Sequence, residues 1–143
     1  MTTVLSWLGV LVCGGLGSLL RFTVDRAVSR RSGGSFPAGT LAVNLTGALL
    51  LGFVAGLALS PHLALVAGTA FVGAYTTFST WMLETHRLAE ERQLAPAVAN
   101  IVVSIALGLP AAYAGQTIAV FLVHGVGTHI AWEPFVCARG LAA

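Results

Sequence analysis

Gly73-Ala74-Tyr75-Thr76-Thr77-Phe78-Ser79-Thr80-Trp81 is the stretch whose reading decides the fold. It places one glycine, four hydroxyl residues and three aromatics in nine positions, inside a segment otherwise apolar enough to cross a bilayer. Backbone polar groups in hydrocarbon must be paired, so a Gly-Thr-Thr interruption is tolerable there only where it is buried in protein or lines a polar cavity. The blander account is a mildly kinked spanning helix whose Thr and Ser hydroxyls bond back to their own turn. Hydroxyls and rings alternate here instead of occurring singly, and that favours a site.

The surroundings have the same character. Of 143 residues, 57% are apolar and 8% charged, and lysine is absent. A soluble domain carries about 25% charged residues, so this chain cannot clothe itself for water and belongs in a membrane. Residues 32–83 contain no Asp, Glu, Lys or Arg, nor do residues 93–132. A span needs about 20 apolar residues, which leaves room for four helices and little else. The fold class expected is therefore an all-α membrane protein in contact with lipid. A formal charge of +2 without a basic run interleaved with aromatics gives no nucleic-acid partner. Cys13 and Cys137 suggest neither a disulfide framework nor a thiolate metal site. Met1-Thr2-Thr3 supplies no basic leader, so the first apolar segment is expected to be retained. Without a soluble domain of any size, catalysis on a large substrate is not expected.

Working outward, a first span covers residues 4–24, interrupted by Gly14, Gly15 and Gly17, small residues that let helices approach in lipid. Arg21 near its end either snorkels to the interface or pairs inside the protein. Residues 25–34 carry Arg26, Arg30 and Arg31 and read as a solvated connection. After Pro37 a second span, 40–59, places Gly52 and Gly56 at a close-packing spacing. Its one strongly polar residue is Asn44. A buried amide often only bonds a neighbouring helix, yet its uncharged donors also suit an anion in transit. Ser60-Pro61-His62 is a turn, with His62 solvated, leading to a third span at 63–83. Residues 84–94 continue as an interfacial helix with Glu84, Arg87 and Glu91 at pairing distance. Pro96 opens a fourth span ending near Val123, in which Asn100, Ser104, Gly108, Ala112 and Gln116 form a polar or small stripe and Pro110 should introduce a bend. Residues 1–124 thus read as one transmembrane domain and 125–143 as a poorly ordered tail, where His124 and His129 are too loosely placed to argue a metal site.

Three blocks in this order resemble the small four-helix fluoride channels called Fluc or CrcB. They are Gly14-Gly15-Leu16-Gly17 leading to Arg21; Gly39-Thr40-Leu41-Ala42-Val43-Asn44-Leu45-Thr46-Gly47; and Gly73 through Thr80. The resemblance implies a third helix broken in mid-membrane and an antiparallel dual-topology dimer with two pores lined by both subunits. By that carry-over Asn44 donates to fluoride, while Phe78 and the position of Trp81 supply aromatic edges. Ser79, Thr80 and Ser104 form a hydroxyl track, and Arg21 lies near the vestibule. Main-chain carbonyls matching Gly73 and Thr76 hold a structural Na+. The family usually has a second phenylalanine where this chain has Trp81, whose larger indole adds an N–H donor or faces lipid as an anchor.

Fluoride holds its water tightly, so a pore must replace that shell with amides, hydroxyls and electropositive ring edges. No lysine is present to trap it, and the middle spans lack a proton relay, which suits passive movement. A small multidrug exporter would need a carboxylate inside the first span, and residues 1–20 have none. A non-transporting scaffold explains Gly52 and Gly56 but not the motif. With the amino terminus outside, six arginines lie on the cytoplasmic side and Arg139 opposite. The partner is thus a second copy of this chain or, by that bias toward one fixed orientation, an oppositely oriented homologous subunit.

Overall fold

The structure, a computed structural model, describes residues 2–124. The expectation for the tail at 125–143 lies outside the described residues. The first helix, α1 (Thr2–Ser32), runs 31 residues without interruption. At about 1.5 Å per residue it outreaches a hydrocarbon core of about 30 Å, so its last turns carry Arg26, Arg30 and Arg31 beyond the acyl chains. Residues 25–32 are therefore helix and not the expected connection. Nothing between Gly17 and Gly33 breaks a helix, and the turn comes only at Gly33, where φ is +57°.

Helix α2 (Ala38–Gly56) follows Pro37. The third span is assembled from α3 (Pro61–Ala64), a π-helical stretch (Leu65–Val72), α4 (Gly73–Tyr75) and α5 (Ser79–Glu90). Thr76 lies between α4 and α5 in extended backbone, with φ −77° and ψ 163°. The π-helical stretch has no signal in the sequence. Helix α6 (Leu94–His124) completes the chain and continues on both sides of Pro110. Four segments are thus long and apolar enough to cross a membrane. Leucines such as Leu11 on α1 and Leu109 on α6 point outward, where lipid would cover them.

Helix α2 is the centre of the bundle and packs more extensively against α6 than any other pair of elements. The contact is reciprocal: a Cβ on Gly52 would run into the Ala112 carbonyl, and a Cβ on Gly115 into that of Leu49. Two backbones in lipid gain dispersion contact by this approach, without any hydrophobic drive between helices. On the other flank α1 meets the π-helical stretch, α2 and α4, while α5 docks on α6. His62 is exposed at its turn, with its Nδ1 3.4 Å from Ser6 Oγ on α1. Of the two expected interfacial ion pairs, Arg87–Glu91 forms at 2.9 Å, and Glu84–Arg87 is not among the salt bridges of the described residues.

The α2–α6 contact yields a paired expectation. Gly52→Val should lower the thermal unfolding midpoint in detergent, read by circular dichroism, with a loss of about 1–3 kcal/mol from overpacking. Gly108→Ala, whose Cβ would meet nothing within 4 Å, should leave it unchanged or slightly raised.

Candidate functional site

The site begins where the helix ladder stops. Thr76 still donates its N–H to Val72 O at 2.9 Å. The Thr77 N–H, which an unbroken helix would give to Gly73 O, goes instead to Asn44 Oδ1 at 2.9 Å, and Thr77 O accepts from Asn44 Nδ2 at 2.8 Å. A carboxamide carries the same donor and acceptor as a peptide group, so one side chain of α2 satisfies both main-chain groups. Gly47, one turn further along α2, permits the approach, because a Cβ there would strike the Thr76 side chain. Thr46 Oγ1 and Tyr75 OH, 2.8 Å apart, close the same seam.

Beyond the interruption the helix is restarted locally. Thr77 Oγ1 accepts from Thr80 N at 3.2 Å and donates to Thr80 Oγ1 at 3.0 Å, capping the first turn of α5. The consequence is that main-chain oxygens of the turn before the break, Gly73 O and Thr76 O among them, lose their helical donors. Gly73 O has lost the Thr77 N–H and lies only 3.5 Å from Thr76 Oγ1. Thr76 O has lost the Thr80 N–H to Thr77 Oγ1.

Around this point lies a groove of about 370 Å³, lined by Asn44, Thr76, Thr77, Phe78, Trp81 and Ser104 together with apolar residues, and by no charged side chain. The Phe78 and Trp81 rings stand 5.7 Å apart at 57°, a tilted pair among the residues that line the space. Phe78 is 72% exposed, so the groove has no wall on its side. Ser104 Oγ is buried and has no hydrogen-bond partner among the described residues. Asn44, with one N–H spent on Thr77, retains a second. Trp81 is turned toward α6, not outward as a lipid anchor: its Nε1 donates to Asn100 O at 3.3 Å.

The other residues singled out in the sequence fall elsewhere. Arg21 and Thr80 line a separate cavity of about 160 Å³ with Asp25 and Thr40. Thr77 lines both spaces and forms the partition between them. Ser79 is exposed, 3.5 Å from Thr77 Oγ1, and lines neither. Gly73 faces a third space, between α2 and the π-helical stretch, which Thr76 shares with the groove. Glu84 lines a cavity beside Arg87 and Glu91 and does not reach the groove. Sequence reasoning passed over Thr77 and Asn100; the signals were present, one as the centre of the motif and the other as the first member of the four-residue stripe.

No group of three or more His, Cys, Asp or Glu side chains is placed to hold a metal among the described residues. A hard cation needs oxygen ligands, and the main-chain carbonyls that lose their helical donors at the interruption, those of Gly73 and Thr76 among them, are groups of that kind.

Comparison with known proteins places this geometry in context. The family model described as "CrcB-like protein, Camphor Resistance (CrcB)" matches residues 8–116. A protein of Mycolicibacterium paratuberculosis named fluoride-specific ion channel FluC 2 is 68% identical over 119 residues, covering 83% of this chain and 98% of that protein. The FluC 2 protein of Mycobacterium tuberculosis is 67% identical over 117 residues, 82% of this chain and 93% of its own length. A FluC 1 protein of Streptomyces avermitilis is 45% identical over 115 residues, 78% and 93% of the two chains.

The bracket from Asn44 has a measurable signature. Asn44→Ala leaves both Thr77 main-chain groups unpaired, at about 1–3 kcal/mol each. Hydrogen–deuterium exchange by mass spectrometry should then accelerate in peptides covering residues 73–80 and remain unchanged in α6.

Proposed function

The chain belongs to the CrcB family, and from that premise we propose that it is a fluoride-specific channel that lets the ion leave passively across the cell membrane. One observation carries the reading: the groove is lined by Asn44 with a spare amide N–H, by Ser104 with a buried, unpartnered hydroxyl and by the Phe78 and Trp81 rings, with no charged side chain among its lining. Neutral donors replace the water of a small, tightly hydrated anion, and ring edges hold it without the deep well a fixed cation would create. No titratable side chain lines the groove, so nothing there would couple passage to a proton. An exporter of the multidrug type and a silent scaffold both leave this lining unexplained.

The third span is then a helix broken within the membrane, a reading supported by the extended backbone at Thr76 and the transfer of the Thr77 N–H to Asn44. The residues fit a structural Na+: the carbonyls of Gly73 and Thr76 would hold it, and its charge would add favourable potential for anions nearby. The exposure of Phe78 supports a second subunit that supplies the missing wall, since an anion path cannot stand open to acyl chains. An antiparallel arrangement would let that subunit bring the same elements head to tail. The arginines favour an oppositely oriented homologous partner, because α1 and α5 both end on one membrane face with Arg26, Arg30, Arg31 and Arg87.

Fluoride release from proteoliposomes, read with an ion-selective electrode, tests this. Rapid release without a proton gradient is expected; release only with one would indicate an exporter, and none a scaffold. Asn44→Asp should bring release to background by adding a negative charge and losing the donor to Thr77 O. Phe78→Ile should slow it by removing the edge. Unchanged release in both variants would remove the site from these residues. If this subunit inserts in one orientation, cysteine reporters near its amino terminus will label from one membrane face only, and equal labelling from both faces rejects the fixed topology.

A further inference from the structure

Trp81, Thr85 and Asn100 form a closed hydrogen-bond circuit between α5 and α6. The Trp81 indole N–H donates to Asn100 O at 3.3 Å, Asn100 Nδ2 donates to Thr85 Oγ1 at 2.8 Å, and Thr85 Oγ1 donates back to Trp81 O at 2.8 Å. Asn100 is fully buried and Thr85 nearly so. A helical carbonyl has a second lone pair, so Asn100 O can take the indole without leaving its own ladder. The side chain of Asn100, meanwhile, ties α6 to α5 one turn from Trp81.

We propose that Asn100 and Thr85 are positioning residues that withdraw the Trp81 N–H from the groove, so that the indole presents a weakly electropositive rim and no strong donor. The inference rests on the channel reading and deepens it. Among the residues lining the groove, the indole N–H would be the donor held on the largest, least mobile side chain. Were it free, it would add one hydrogen bond to an ion that must also leave, and a site that binds too well conducts poorly. The circuit keeps the ring and removes the trap.

The test combines flux with a direct view of the indole. In protein carrying Trp7→Phe and Trp132→Phe, the single remaining indole N–H resonance of Trp81 should stay in place as fluoride is titrated. Thr85→Val should let it shift with fluoride and slow fluoride release about tenfold, the worth of one hydrogen bond. Thr85→Ser, which restores the hydroxyl, should return both to the parent values. In a Trp81→Phe background the same Thr85→Val change should alter release by less than about twofold, since no N–H remains to be set free. Equal slowing by Thr85→Val in both backgrounds would reduce the circuit to helix packing and overturn the proposal. So would an indole resonance that follows fluoride in the protein without Thr85 changed, a measurement that does not depend on any variant at Thr85 folding. A parent protein that releases no fluoride would defeat the channel reading and this inference together; release by the parent with either of the other results defeats this inference alone.

Discussion

Two hydrogen bonds between the Asn44 side chain and the main chain of Thr77, one in each direction, are the constraint on which the other features depend. In lipid an unpaired peptide group has no water to turn to, so a spanning helix cannot simply stop. The Asn44 carboxamide reproduces a peptide's donor and acceptor and supplies to Thr77 what the helix withdraws. The price is paid elsewhere, by Gly73 O and Thr76 O, whose helical donors are taken by Asn44 and by Thr77 Oγ1. The polar character of the region follows from that exchange and not from any charged side chain.

The bundle is built to deliver α2 to that point. Reciprocal glycine contacts at Gly52 and Gly115 seat α2 against α6, which brings Ser104 of α6 to the groove that Asn44 of α2 lines. Gly47 then brings Thr76 close enough for Asn44 to reach Thr77. Helix α5, restarted by Thr77, follows directly on Phe78 and carries Trp81 in its first turn and Thr85 one turn on, so a single register places the rings and the tie to α6. Small residues thus act at a distance: they touch no ion, but they fix where the polar groups stand.

Much of this was legible in the chain before any coordinates. Charge-free runs of sufficient length could only be spans, and an amide in the second span together with a hydroxyl-rich, aromatic third could only be tolerated in contact with one another or with a polar space. Other features were not legible. Residues 25–32 read as a connection because arginines are polar, whereas a helix leaving the membrane carries arginine comfortably. The π-helical stretch at Leu65–Val72 has the composition of any apolar helix, so nothing local distinguishes it. Where the hydroxyls fall was not legible either: one residue of register separates Ser79, which is exposed, from Thr80, which lines the cavity with Arg21, and a helix turns about 100° in that step.

What the sequence determined by itself was the inventory and its chemistry: four apolar spans, an uncharged polar motif, no lysine, and no carboxylate within residues 32–83 or 93–132. Those are consequences of composition and of spacing along one helix, which are local quantities. Tertiary structure alone decided the partners: that Asn44 spends half its donors on Thr77, 33 residues away, and that Asn100 takes the Trp81 N–H. Each such contact depends on where two elements of the bundle meet, as Gly47 meets Thr76, and no single segment contains that outcome.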